Sequence, residues 1–228
     1  MLLSDAVQLV FDELELETPD NPVLQQRRTL LGAVQQRGID LAYRTLLIRE
    51  VVETWINTDT WAASRAFLDA HHADLASDEV MAILADRAAD SQSAAIMHHA
   101  LLTLVRLGQA DCAYDAITDV AQLQAELATA RGDADPTRLI AYATMGMVIA
   151  SDDADIAQAC FHLALGQALT NDVAINRDLV IRARDLAPDQ VPVWLGYISA
   201  LLGARPDRQA TLIPLSQTLL APPVEAPP

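Results

Sequence analysis

Lysine is absent from this 228-residue chain, and aromatic residues make up only 4% of it. All 15 basic residues are therefore arginines, set against 31 acidic residues, which gives a formal net charge of −16 at pH 7. An acidic surface repels phosphate, and the arginines are spread from Arg27 to Arg208, so neither nucleic acid nor an anionic membrane is an expected partner. The charge predicts a protein or peptide partner that is neutral or basic.

Long apolar runs are also lacking. The longest, 139–150, is shorter than the roughly 20 residues that cross a bilayer, and the first residues lack the basic region and cleavage site of a signal peptide. Cys112 and Cys160 stand far apart within apolar helical pattern, which is typical of small buried side chains in a reducing compartment. We therefore expect a cytoplasmic protein.

The motifs of common catalytic sites are missing as well. There is no GxxxxGK(S/T) or GxGxxG phosphate loop and no GxSxG serine motif. His71–His72 and His98–His99 are adjacent pairs, which point about 100° apart on a helix and cannot share one ion. The acidic clusters 133–135 and 152–155 lack the glycine and glutamate of a calcium loop, and are predicted to cap helices. The sequence predicts no catalytic residue, no cofactor and no metal, so we do not expect an enzyme.

Helical periodicity is what the chain has in abundance. Hydrophobic residues make up 52% of the sequence, and no run alternates with period two. The pattern predicts twelve helices near residues 4–17, 22–37, 39–56, 59–74, 77–89, 92–107, 109–131, 136–150, 153–169, 172–186, 189–203 and 206–219.

Local signals support these boundaries. Asn21-Pro22 and Asp135-Pro136 each place a capping side chain before a proline, as helix starts prefer. Gly38, Gly108 and Gly132 each follow a basic last turn, and so predict helix ends.

Two further patterns concern packing. In the helix over 39–56, an i, i+4 row predicts the buried face, formed by Tyr43, Leu47, Val51 and Trp55. Glycine inside a helix costs about 1 kcal/mol relative to alanine, so a close approach between helices is expected at Gly146, Gly166 and Gly196.

The sequence thus predicts an all-α fold of antiparallel helical hairpins, stacked as an α-solenoid or folded as a compact helical-repeat bundle. Residues 1–220 are predicted to form a single helical-repeat domain, with 1–132 and 133–220 as its sub-lobes if two cores form. The proline-rich segment 221–228 is predicted to be a disordered tail.

The segment from Ala187 to Tyr197 resembles the join between two tetratricopeptide repeats (TPRs). Pro188 and the aromatic Trp194 stand six residues apart, as in that family, and Ala183 falls where a small residue is expected. Tyr197 and Ile198 depart from the usual Leu and Gly, and Asn176 replaces a small residue, so the repeat is degenerate. The resemblance implies a TPR-like α-solenoid that binds other proteins.

A second resemblance covers residues 61–117. Phe67-Leu68, His71 or His72, Leu75 and Ser77-Asp78-Glu79 are similar to a phrase that recurs between helices in the helical arrays of bacterial signalling proteins. Those arrays serve as interaction or regulatory scaffolds. This resemblance implies a role without naming a partner.

These observations predict a non-catalytic interaction module or scaffold that binds a peptide or partner domain in a helical groove, and homo-oligomers are compatible with it. Trp61, which follows Thr58-Asp59-Thr60 near a helix start, is the one residue predicted to contact a partner. Two alternatives stay open: a helical bundle or enzyme subunit that binds a small ligand, and a structural subunit of a larger assembly.

Overall fold

The computed structural model describes residues 39–170 and 175–222, together with the helical residues Thr29 and Gly32. Every regular element in these residues is helical, so the predicted all-α class is confirmed for them. Two short 3-10 turns, Pro188–Gln190 and Pro206–Arg208, precede the last two helices. In chain order the α-helices are α1 Ile39–Ile56, α2 Trp61–Ala70, α3 His72–Leu75, α4 Asp78–Ala89, α5 Ser93–Arg106, α6 Ala110–Thr118, α7 Val120–Gly132, α8 Pro136–Ile149, α9 Asp153–Leu169, α10 Arg177–Leu186, α11 Val191–Ala204 and α12 Gln209–Leu220.

Several predictions concern residues outside these ranges. They are the helix over 4–17, most of that over 22–37, the helix start at Asn21-Pro22, the helix end at Gly38 and most of the tail over 221–228. Within the described part, no helix is both long and apolar enough to cross a membrane.

Acidic or hydroxyl side chains cap the starts of α2, α4, α7, α8 and α9. Asp135 accepts from the backbone nitrogens of Thr137 at 3.0 Å and Arg138 at 3.2 Å, which confirms the start predicted at Asp135-Pro136. Asp152 accepts from the Asp155 nitrogen at 2.8 Å. Both acidic clusters thus contain helix caps, as predicted.

The predicted helix over 109–131 is two helices. Asp119 has extended backbone angles, φ −137° and ψ 112°, and ends α6. Its carboxylate accepts from the Ala121 nitrogen at 2.8 Å and so caps α7. The predicted helix over 59–74 is likewise divided, between Ala70 and His72.

Two of the predicted helix ends can be compared. Gly108 has φ +74° and follows α5, as predicted. The helix end predicted at Gly132 is confirmed, because this glycine is the last residue of α7. The left-handed conformation falls two residues later, on Ala134 at φ +50°. The Ala134 nitrogen donates to the Arg131 carbonyl at 3.1 Å, which tightens the turn.

The chain divides into two compact units, residues 1–55 and 56–228. In the described part of the first unit, Ile48, Val52 and Trp55 are buried along α1, whereas Leu47 is 42% exposed. The predicted buried row was therefore right at Trp55 and wrong at Leu47. The predicted sub-lobes 1–132 and 133–220 stay a prediction.

In the second unit, α9 is the central helix. Ten of its seventeen residues are buried, and it packs on α8, α10 and α12. On the other side of α8, each helix from α5 to α8 packs on the next one in the chain. Helix α8 also packs on α5. Helix α8 therefore belongs to both sets of neighbours.

Glycines allow α8 and α9 to approach closely. A Cβ on Gly146 of α8 would lie 3.1 Å from the Ala159 Cβ of α9. A Cβ on Gly166 of α9 would lie 2.7 Å from Cγ1 of Ile140 and 3.2 Å from its nitrogen. The predicted close approach is confirmed at both glycines. It was wrong at Gly196, where a Cβ would meet nothing within 4 Å.

Candidate functional site

Trp61, the residue predicted to contact a partner, begins α2. Thr60 caps the helix by accepting from the Ala63 nitrogen at 3.1 Å. The indole is partly exposed, and its ring centroid lies 5.4 Å from that of His98 on α5. Trp61 therefore covers a buried polar group. Its contact with a partner stays a prediction.

That polar group belongs to a hydrogen-bonded chain of three buried side chains. Ser64 Oγ lies 3.1 Å from Tyr114 Oη and 3.4 Å from His98 Nε2. His98 Nδ1 lies 2.8 Å from the Ala94 carbonyl oxygen. A carbonyl can only accept, so Nδ1 carries a proton. When the imidazole is neutral, Nε2 accepts from the Ser64 hydroxyl, and the Tyr114 hydroxyl then donates to Ser64.

A serine hydroxyl within hydrogen-bonding distance of an imidazole nitrogen is one element of an activated nucleophile. However, Ser64 has no exposed surface, and His98 is only 3% exposed. Next to these residues, the guanidinium carbon of Arg65 lies 5.8 Å from the centre of the Tyr114 ring, and Arg65 forms a salt bridge with Asp111. In this conformation a substrate cannot reach the hydroxyl. The three hydrogen-bonded side chains instead link α2, α5 and α6 to one another.

A second buried histidine makes the same intrahelical bond. His162 of α9 is 1% exposed, and its Nδ1 donates to the Gln158 carbonyl at 2.7 Å. Its Nε2 accepts from Nη1 of Arg131 at 3.1 Å. The pKa of His162 is lowered to about 4, chiefly by burial; the hydrogen bond to the Gln158 carbonyl raises it, and the positive charge of Arg131 lowers it. The imidazole is therefore neutral at pH 7.

Arg131 connects this histidine to helix α11. Its guanidinium carbon lies 3.8 Å from the centre of the Tyr197 ring, which is the distance of a cation–π contact. The side chain is half-buried, yet no carboxylate in the described ranges lies within ion-pairing distance of it. His162 takes one of its five N–H donors.

Helix α11 has an unusual surface. None of its fourteen residues is charged, and only Trp194 and Ile198 are buried. Trp194 stacks on Phe161 of α9, with ring centroids 4.7 Å apart and planes at 10°. The exposed residues of the helix are Pro192, Val193, Gly196, Ser199, Ala200, Gly203 and Ala204. We call the row formed by Val193, Gly196, Ala200 and Ala204 the outer face of α11.

Tyr197 borders the outer face, because it stands four residues after Val193 and three before Ala200. Arg131, which lies over Tyr197, is therefore at the edge of the same surface. An uncharged exposed helix beside a fixed cation is suited to binding another protein.

The remaining residues weighed from the sequence are the histidine pairs, the acidic clusters and the two cysteines. No group of three His, Cys, Asp or Glu side chains in the described part of the chain could hold a metal ion. Both cysteines are free, and burial raises the pKa of each thiol, for Cys112 together with the charge of Glu126. A narrow cleft between α7, α8 and α9 has no room for a water molecule.

The residues of this site were missed from the sequence. Ser64 and Tyr114 are 50 positions apart and Arg131 and His162 are 31 apart, so no local spacing joins them. One signal was available: His162 stands within the apolar run Ala159–Leu165, where a polar side chain needs a buried partner.

Comparison with known protein families, curated proteins and solved structures finds no match for this chain.

Proposed function

We propose that this chain is a non-catalytic interaction module that binds a partner protein on the outer face of α11. The observation that carries the proposal is the exposed, uncharged helix itself. In stacked helical repeats the terminal repeat needs a polar outer face to remain soluble, whereas α11 exposes no charged side chain and Ser199 is its one exposed polar residue. Val193 is 47% exposed and has no charged neighbour within the helix.

The proposal includes the TPR-like stacking of hairpins, the scaffold role and the cytoplasmic location. The resemblance around Pro188 and Trp194 supports the stacking, since Trp194 and Ala183 are both buried. Two free cysteines suit a reducing compartment. The net charge of −16 favours a partner that is neutral or basic as a whole. A partner that covers α11 permanently would make the chain a subunit of a larger assembly.

One observation favours a second candidate, a ligand-binding or catalytic bundle. The bonded chain of Ser64, His98 and Tyr114 supplies the interior polar groups that such a function needs. Ser64 would have to become accessible by movement of α2. A small molecule retained on the purified monomer in native mass spectrometry would favour this candidate.

Photo-crosslinking tests the main proposal. We would place a benzoylphenylalanine at Ala200 and expose the protein to lysate from its source, followed by native mass spectrometry of the captured complex. We expect one partner in defined stoichiometry, and its loss in Val193→Glu. The control is Leu107→Glu, because Leu107 is also 47% exposed and lies outside α11. Equal capture by Val193→Glu and wild type contradicts the proposal.

A further inference from the structure

We propose that the partner contributes an amphipathic helix, which lays its apolar side on the outer face of α11 and places a carboxylate against Arg131. This inference rests on the proposed function, because it specifies the chemistry of the same surface. Local charge complementarity identifies the occupant.

The first argument is the state of Arg131 itself. His162 and Tyr197 hold the guanidinium from two sides, at 3.1 Å and 3.8 Å. An arginine that is already ordered loses little conformational entropy when it meets an anion, so the ion pair is worth more there than on a flexible side chain. The neutral His162 accepts a hydrogen bond from Arg131 but supplies no negative charge.

The second argument is a comparison with other arginines. Six arginines have a carboxylate within ion-pairing distance: Arg65, Arg106, Arg138, Arg184, Arg205 and Arg208. Arg177 and Arg182 have none within the described ranges, but both are exposed to solvent. Arg131 combines half-burial and two fixed contacts with the lack of a carboxylate partner in those ranges. A carboxylate from a partner would therefore supply the ion pair that Arg131 lacks within those ranges.

The third argument concerns the shape of the surface. Gly196, Ala200 and Ala204 project little beyond the helix backbone, and Val193 provides an apolar contact at one end. A second helix can therefore lie close along α11, with its own larger apolar residues directed at the small ones. A carboxylate beside that apolar side would reach the edge that Tyr197 forms.

A second copy of this chain is the disfavoured occupant. Each copy carries a net charge of −16, so two copies repel each other over most of their surfaces. The proposed partner is neutral or basic as a whole and carries one acidic residue at the contact.

The test uses phage-displayed peptides of 20 residues. One side of each helix is fixed as Ala, Leu and Val, and the flanking positions are randomised among Glu, Gln, Lys and Arg. Selection on the wild-type protein, with counter-selection on Val193→Glu, enriches peptides that bind the outer face. The Glu and Gln forms of one enriched peptide are then compared by fluorescence anisotropy.

We expect acidic residues at one flanking position, and about three- to tenfold tighter binding of the Glu form. The preference should disappear in Arg131→Gln, persist in Arg131→Lys and remain unchanged in Arg177→Gln. Circular dichroism melts of the three variants verify folding, and Arg131→Lys keeps the charge if Arg131→Gln is unstable.

Each other outcome overturns a defined part. Enriched peptides that require Val193 but show no acidic preference overturn the Arg131 contact and leave the proposed function standing. Failure to enrich any peptide that is sensitive to Val193→Glu overturns both. A wild-type dimer in sedimentation, dissociated by Val193→Glu, replaces the partner helix by a second copy.

Discussion

Gly166 of α9 lies so close to Ile140 of α8 that a Cβ on the glycine would come within 3.2 Å of the Ile140 nitrogen and 2.7 Å of its Cγ1. Gly146 of α8 likewise lies close to Ala159 of α9, so each of the two helices contributes a glycine to the contact. The two central helices are therefore held together where side chains are smallest, and additional volume has no free space to occupy.

Gly166→Ala should destabilise the protein by about 1–3 kcal/mol, because overpacking outweighs the gain of about 1 kcal/mol in helix propensity. The measurement is the midpoint of urea unfolding. Gly196→Ala is the matched control, since a Cβ there meets nothing within 4 Å and the propensity gain should remain. Equal stabilisation by both substitutions would contradict the close packing of α8 and α9.

Acid should weaken the fold partly through His162. The pKa of this histidine is about 4 in the folded protein and 6.5 in the unfolded chain. Between these values the unfolded state binds a proton that the native state does not, so stability is complete above about pH 6.5 and falls as the pH decreases towards 4. The loss from this group reaches about 3 kcal/mol at most.

His162→Gln should remove this contribution, so the difference in unfolding free energy between wild type and variant should shrink from pH 7 to pH 4. Urea titrations at several pH values measure it. His72→Gln changes an exposed histidine and is the control. A constant difference over the range would mean that His162 is not a buried neutral base.

Ser64 should be energetically coupled to Tyr114. Ser64→Ala removes the hydroxyl that joins Tyr114 and His98, with an expected cost of about 1–2 kcal/mol. In a double-mutant cycle with Tyr114→Phe, we expect a coupling of about 1 kcal/mol. Tyr142→Phe is the control partner, because its hydroxyl donates to Gln109 at 3.1 Å and so belongs to a different hydrogen bond. Additive effects in both cycles would contradict the energetic coupling of Ser64 and Tyr114.

Asp119 should act as a cap and not as an ordinary surface acid. Asp119→Ala removes the acceptor for the Ala121 nitrogen and should cost about 1 kcal/mol, whereas Asp119→Asn should cost little. Asp86→Ala, an exposed change within α4, should stay within about 0.5 kcal/mol of wild type. Identical unfolding midpoints for the alanine variants would contradict capping.

Trp61 and the outer face of α11 are two predicted partner-binding surfaces that can be tested separately. If α11 is the binding surface, Trp61→Leu should leave crosslinking from Ala200 unchanged while Val193→Glu abolishes it. Loss of capture in Trp61→Leu, with a folded variant by circular dichroism, would assign the contact to Trp61 as the sequence predicts.

The sequence predicted helices well where local signals decide them. The predicted helix over 153–169 coincides with α9 because Asp152 caps its start. The division at Asp119 was missed because helical periodicity continues on both sides, and only the backbone geometry shows that its side chain caps α7. In α1 the apolar residues surround much of the helix, so periodicity alone could not select Ile48 and Val52 over Leu47.

The site was much less accessible from the sequence. Arg131, His162 and Tyr197 lie on three helices, and their contacts depend on how those helices pack. Trp194 stands among apolar residues and is 1% exposed. The apolar sequence around it did not indicate that another side of the same helix is exposed, since an uncharged helix is typical of a core.

Helix α11 is also the helix whose local unfolding should cost the least among the longer helices of the second unit. Two buried side chains anchor its fourteen residues, whereas ten anchor α9. Its amide protons should therefore exchange with solvent earlier than those of α9. A partner on the outer face would close those openings, so slower exchange confined to α11 would report binding even where nothing else in the molecule changes.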